Sequence, residues 1–308
     1  RPHAFNSTKG EISPDPKCPF CPGMEQETPP ETGAEGPEAR LPNTPGWIAR
    51  TFPNKFPSLR PDAAAPDPET NGSVIAGAGP HEVLVETPRH FEGLAEAPQE
   101  QVEALLRLMS RRLAAFAEDP QVRYQLWFRN FGNAAGASLG HPHSQLMGFP
   151  MVPPRVERIR DRKGEYWRTE NRCLGCDQVR ELESSGLVVA ENSHFVAGVR
   201  WAGRFPFEAV IWPRRHRAQL PAVWKQAELS ALASIWREMA RRYNAALGRP
   251  AWNTILVNAP LREESGDWFH WHLELFPRLS GLAGVELGVE MYVNPSDPAA
   301  VAARLREV

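Results

Sequence analysis

All four cysteines of this chain fall in two Cys-x-x-Cys pairs, Cys18/Cys21 and Cys173/Cys176, and each pair is followed by the same landmarks in the same order. After the first come HEVLVETPRH (81–90), a segment of helical period, VRYQLWFRN (122–130) and HPH (141–143). After the second come FEAVIWPRRH (207–216), another helical segment, WNTILVN (252–258) and HWH (270–272). His141 lies 51 residues beyond His90, and His270 lies 54 beyond His216. Agreement of ordered landmarks with a helix in the same slot implies an internal duplication. The expected fold is α+β: two repeats, at 1–152 and 153–308, with antiparallel sheets each crossed by one long helix.

Composition fits that reading and removes others. The chain has 308 residues, of which 42% are hydrophobic and 23% charged, enough for a sizeable core. Its 35 Lys+Arg against 37 Asp+Glu leave no basic excess, which argues against nucleic acid as a partner. No apolar run approaches the ~18–20 residues that cross a bilayer, so no membrane partner is expected. The opening Arg1-Pro2-His3 shows no signal peptide, and cytoplasmic localisation is the expectation.

Eighteen of the 31 prolines lie in residues 1–100, where turns and extended chain should dominate. Gln26–Arg40 and Arg60–Gly72 read as loops. Gln99–Glu118 and Ala222–Leu247 have helical period, each entered through a proline. Strands are expected at His81–Glu86, Val122–Arg129, Phe195–Val199, Phe207–Trp212, Asn253–Asn258 and His272–Phe276.

Cys-x-x-Cys supplies two ligands from one tight turn, and zinc takes four from cysteine sulfur and histidine nitrogen. Each half offers that turn and two further histidines. The expected sites are Cys18, Cys21, His90 and His141, and Cys173, Cys176, His216 and His270, with two zinc ions per chain. Redox chemistry is the competing reading of a lone Cys-x-x-Cys, but it needs a thioredoxin-like setting and gives the histidines no role. Unmetallated cysteines are the other alternative. Four ligands close the coordination shell, so both zincs would be structural.

The loop from Asn130 to Gln145 (NFGNAAGASLGHPHSQ) follows a strand and is rich in glycine and small residues, which lets backbone N–H groups approach a phosphate. Of the two histidines in the H-x-H run, His141 can bind metal while His143 faces a ligand. A neutral imidazole is a nucleophile toward phosphorus, and Gln145 can donate its amide to a phosphate oxygen. A histidine that is only hydrogen-bonded is the blander alternative. His272 is followed by Leu-Glu in place of Ser-Gln, so one reactive histidine per chain is expected.

GASLGHPHSQ with CPFC upstream resembles the galactose-1-phosphate uridylyltransferase family, a transferase branch of the histidine-triad superfamily. CPFCPGMEQETPPE, TFPNKFPSL and FPRLSGLAGVELGVEMYVNP extend the resemblance, also toward ADP-glucose phosphorylase relatives, over nearly the whole chain. It implies histidine-triad-like repeats and a ping-pong transfer in galactose metabolism: His143 attacks UDP-glucose, glucose 1-phosphate leaves, and a sugar 1-phosphate takes the uridylyl group. It further implies catalytic roles for His143 and Gln145, phosphate contacts at Gly136, Ser138 and Gln145, and a nucleotide contact at Asn130. Phe52, Asn54, Phe56 and Val83 match the family's uridine pocket, Glu290 its hexose site, and a homodimer is implied.

Alternatives are an ADP-glucose phosphorylase and a zinc-stabilised nucleotide-binding protein without turnover. The chain departs from the family at Lys55, where relatives have aspartate, and at Gly284, where they have lysine. The basic segment Arg155–Arg172 reads as a solvated linker between halves or as an attractor of anionic substrates.

Overall fold

The computed structural model describes residues 17–63, 77–90 and 93–308, so the opening Arg1-Pro2-His3 and residues 64–72 of the loop read at Arg60–Gly72 lie outside the described residues. In chain order the elements are β1 (Gly33–Glu35), β2 (Ala49–Pro53), β3 (His81–Val85), α1 (Gln99–Glu118), β4 (Tyr124–Phe131), β5 (His143–Phe149), α2 (Pro154–Glu170) and α3 (Leu174–Ser184). Then follow β6 (Val188–Glu191), β7 (Phe195–Val199), β8 (Ala209–Pro213), α4 (Gln226–Leu247), β9 (Trp252–Val257), β10 (His272–Pro277), α5 (Gly284–Val289) and α6 (Pro298–Arg306).

All ten described strands join one antiparallel sheet in the order β1-β2-β3-β5-β4-β9-β10-β8-β7-β6. This corrects the expectation of a separate sheet in each half. Strand β4 pairs with β9, Asn130 standing opposite Asn253, and so two edges that separate sheets would leave open satisfy each other.

The two long helices explain where the core sits. In α1 the buried Val102, Leu105, Leu106, Met109, Leu113 and Phe116 recur at helical spacing, as do Leu229, Leu232, Trp236, Met239 and Tyr243 in α4. The helices pack on each other, α1 also on β1, β2, β4 and β5, and α4 on β6 and β7. Helix α4 begins four residues later than its period suggested. Ahead of it, the Trp224 indole N–H donates to Ser110 Oγ of α1 at 2.7 Å. Gly248, at φ 70°, closes its C-terminus in the left-handed region that favours glycine.

Strand β4 shows how the sheet separates core from site. Gln125, Trp127, Arg129 and Phe131 are buried, and Trp127 meets Trp236 of α4 edge-on at 5.5 Å. Leu126, Phe128 and Asn130 alternate onto the opposite, more open face. His143 and Gln145 share that face, because Gln145 is the cross-strand partner of Phe128.

The segment read as a solvated linker is helix α2, with Pro153 as its N-cap and Pro154 in its first turn. Only Val156 and Lys163 are buried on it, so an apolar stripe was missing from its sequence. Four of its arginines pair inside the chain: Arg155 with Glu274 at 2.7 Å, Arg158 with Glu290 at 3.2 Å, Arg160 with Glu263 at 3.0 Å and Arg162 with Glu165 at 3.5 Å. Strand β1 lies inside the segment read as a loop at Gln26–Arg40.

Candidate active site and metal centres

The structure brings both predicted ligand sets together. In each of Cys18, Cys21, His90, His141 and Cys173, Cys176, His216, His270, the ligand atoms lie within 4.8 Å of one another. Cys21 Sγ is 3.3 Å from His90 Nδ1 and 3.6 Å from His141 Nδ1, and Cys18 Sγ is 3.7 Å from His141 Nδ1. In the second set Cys176 Sγ is 3.3 Å from His216 Nδ1 and 3.6 Å from His270 Nδ1. A tetrahedron with ordinary zinc–sulfur and zinc–nitrogen bonds has S···N edges of about 3.6 Å, so these donors stand at the separations a tetrahedral ion requires.

Hydrogen bonds point the ligand nitrogens inward. His141 Nε2–H donates to the Thr87 carbonyl at 2.7 Å and His216 Nε2–H to the Gly266 carbonyl at 2.8 Å, which leaves each Nδ1 lone pair facing the sulfurs. Burial lowers the pKa of His141 to about 4 and of His270 to about 3, keeping both in the neutral form that a metal ion would need. Burial also pushes the Cys18 and Cys176 thiols up to about 11. A bound cation is what would favour their thiolates.

His143 lies on the open face, buried, with its ring edge-on to Phe20 of the first Cys-x-x-Cys turn at 5.3 Å. Its Nδ1–H donates to the His141 carbonyl at 2.8 Å, so the lone pair is on Nε2. Burial holds its pKa below the ordinary 6.5. On the same face, Gln145 Oε1 accepts from His81 Nε2–H at 2.8 Å.

The other expected residues divide. Phe52 and Val83 are buried cross-strand partners, and Val83 is also opposite Gln145. Asn54 borders His81, and its Oδ1 accepts from the Phe56 backbone N–H at 2.9 Å. Phe56 itself is exposed. Asn130 Nδ2 donates to the carbonyl of Gly136 at 3.3 Å, and Gly136 turns the loop at φ 87°. Ser138 lies exposed in that loop. Glu290 sits at the C-cap of α5, exposed and paired with Arg158 of α2 at 3.2 Å.

Sequence reasoning gave no role to His81, to Phe20, or to the buried Glu86–Arg129 pair beneath the site, where Arg129 Nε reaches Glu86 at 2.8 Å. A charged residue at the end of each apolar strand was the available signal, since buried charges require partners.

The second half holds the matching histidine in a different setting. His272 is buried against Trp212, ring centroids 4.0 Å apart at 31°, and its Nδ1–H donates to the His270 carbonyl at 3.3 Å. Two residues on, where the first half has Gln145, stands the buried carboxylate of Glu274. Burial alone would raise the Glu274 pKa, but His272 and the guanidinium groups of Arg200, Arg204 and Arg155 hold it well below the carboxylate range.

A family described as a domain of unknown function, DUF4921, matches residues 77–308. ADP-glucose phosphorylase from Arabidopsis thaliana is 33% identical over all of this chain and 87% of its own length. Galactose-1-phosphate uridylyltransferase from Thermotoga maritima is 30% identical over 94% of this chain and 89% of its own length. The chain belongs to the galactose-1-phosphate uridylyltransferase-like family. It is thus a nucleotidyltransferase-family enzyme. The crystal structure of the Arabidopsis thaliana ADP-glucose phosphorylase with bound ADP-glucose superposes with a TM-score of 0.84 at 31% identity, covering 100% of this chain and 92% of that one. Among the described residues, no helix is long and apolar enough to cross a membrane.

Proposed function

We propose that this enzyme transfers a nucleotidyl group from a nucleotide sugar through a covalent bond to His143. The carrying observation is the 2.8 Å hydrogen bond from His143 Nδ1–H to the His141 carbonyl. It fixes the tautomer with the lone pair on Nε2 and stabilises the positive charge that the ring gains when Nε2 bonds to phosphorus. Nε2 attacks the α-phosphorus, the bond to the bridging oxygen breaks, and the sugar 1-phosphate leaves with its electron pair. An acceptor phosphate oxygen then attacks the same phosphorus and the N–P bond breaks. Gln145 donates its amide to a non-bridging oxygen as charge develops there. Gly136 and Ser138 contact the phosphates, Phe52, Asn54, Phe56, Val83 and Asn130 the nucleoside, and Glu290 the hexose.

The finer reading is a UDP-glucose:hexose-1-phosphate uridylyltransferase of galactose metabolism. A second reading, ADP-glucose phosphorolysis with inorganic phosphate as acceptor, is favoured by the 33% identity to the plant phosphorylase along this whole chain. Incubation with UDP-glucose or ADP-glucose labelled at the α-phosphate, without acceptor, separates them. Label from UDP-glucose supports the first and label from ADP-glucose alone supports the second. Label from neither removes both, and His143→Ala should abolish labelling.

Zinc in both Cys₂His₂ sets belongs to the same proposal, as does a homodimer. So does a chain built as two histidine-triad-like repeats at 1–152 and 153–308, supported by five strands from each side of that boundary.

A further inference from the structure

We propose that His81 is a positioning residue that sets which way the Gln145 amide faces; the inference rests on the transfer reading above. His81 begins β3 and is buried on the same face as Gln145, diagonal to it across the β3–β5 pairing. The backbone N–H of Ser58 donates to His81 Nδ1 at 3.0 Å. A backbone amide cannot reverse its polarity, so Nδ1 is an acceptor and the ring proton of neutral His81 is on Nε2. That Nε2–H faces Gln145 Oε1 at 2.8 Å. Asn54 Nδ2 lies 3.1 Å from the same nitrogen, but both are donors, so the bond goes to Gln145.

The consequence concerns charge. A glutamine amide has two ends of similar size and opposite polarity. Turned one way it offers a phosphate two N–H donors, and turned the other way it offers a lone pair that repels the oxygen. His81 engages the oxygen and so leaves the N–H₂ end for the phosphate. A chain of fixed polarity runs from Ser58 N–H through the imidazole to the Gln145 amide. Such preorganised donors stabilise a transition state without reorienting during the reaction.

The test is a cycle of His81→Ala, Gln145→Ala and the double variant, read as the rate of adduct formation on His143. Loss of a single such donor costs about 10²–10³-fold, so Gln145→Ala should fall in that range. His81→Ala should lose about tenfold or more in kcat with KM little changed, and the double variant should be no slower than Gln145→Ala. His81→Gln, which can offer an N–H to the same oxygen, should recover most of the rate. Losses that multiply in the double variant overturn the role of His81, as does His81→Gln no faster than His81→Ala.

A second measurement needs no turnover or variant. Ring-nitrogen NMR of histidine-labelled protein should give His81 as the Nε2–H tautomer at neutral pH, and an Nδ1–H tautomer overturns the inference. Wild type that forms no adduct with either nucleotide sugar overturns the transfer reading itself, which is a different result from an adduct with multiplying losses.

Discussion

Beneath His143, on the helix-covered face of the sheet, Glu86 and Arg129 are both buried and make two hydrogen bonds of 3.0 and 2.8 Å. Arg129 also stacks over Phe131 and Trp252, at 4.9 and 5.4 Å from their ring centroids. Removing one member strands the other charge in an apolar setting. Arg129→Met should therefore cost about 3–5 kcal/mol of stability in urea unfolding, and adding Glu86→Leu should recover much of it. The residues proposed to bond phosphorus or metal were legible because their types are rare and their spacing repeats: four cysteines, and histidines in H-x-H pairs. His81 and the Glu86–Arg129 pair were not. Each is defined by a neighbour distant in sequence, Gln145 for His81 and position 43 residues away for Arg129, and a single strand does not name its cross-strand partner.

At the scale of elements, the Cys18–Cys21 turn works as a clamp. It carries Phe20 over His143, and the same arm is tied down where the Trp47 indole N–H donates to the buried Glu25 at 2.8 Å. On the zinc proposal, Cys18→Ser should lose one metal equivalent by elemental analysis and most of the adduct, because Phe20 no longer holds its place. Cys173→Ser should also lose one equivalent yet still form adduct at His143, since the second set packs around Trp212 and α2 and not around His143. Equal effects on adduct formation would contradict that division. Helices α1 and α4 were legible from their apolar stripes. Helix α2 was not, because its buried face is reduced to Val156 and to Lys163, whose ammonium lies 4.1 Å from the Phe269 ring centroid and donates to the His270 carbonyl at 3.0 Å. A lysine in that place does not register as hydrophobic period.

Across the whole molecule the two halves carry similar Cys₂His₂ sets and unlike surroundings at His143 and His272. Burial lowers the pKa of His272, which lies outside both Cys₂His₂ sets, from the ordinary 6.5 to about 3. Below pH 6.5 the unfolded chain takes up a proton that native His272 refuses, so stability falls as pH drops from 6.5 toward 3. At pH 5 the loss from His272 should be about 2 kcal/mol, read as a shift of the urea midpoint from its value at pH 7.5. Where the first half presents His143 beside the Gln145 amide, the second presents His272 under Trp212 beside the Glu274 carboxylate, which has no N–H to donate to a phosphate and is itself taken up by Arg155 and Arg204. The pairing of both halves into one sheet was not legible, because the β4–β9 seam joins strands that neither half pairs alone. The central claim is tested most directly by peptide mass mapping of the protein after reaction with the nucleotide sugar that labels it. The account predicts one nucleoside monophosphate on the peptide containing His143 and none on the peptide containing His272; a nucleotidyl group on His272, or on any residue other than His143, would contradict it.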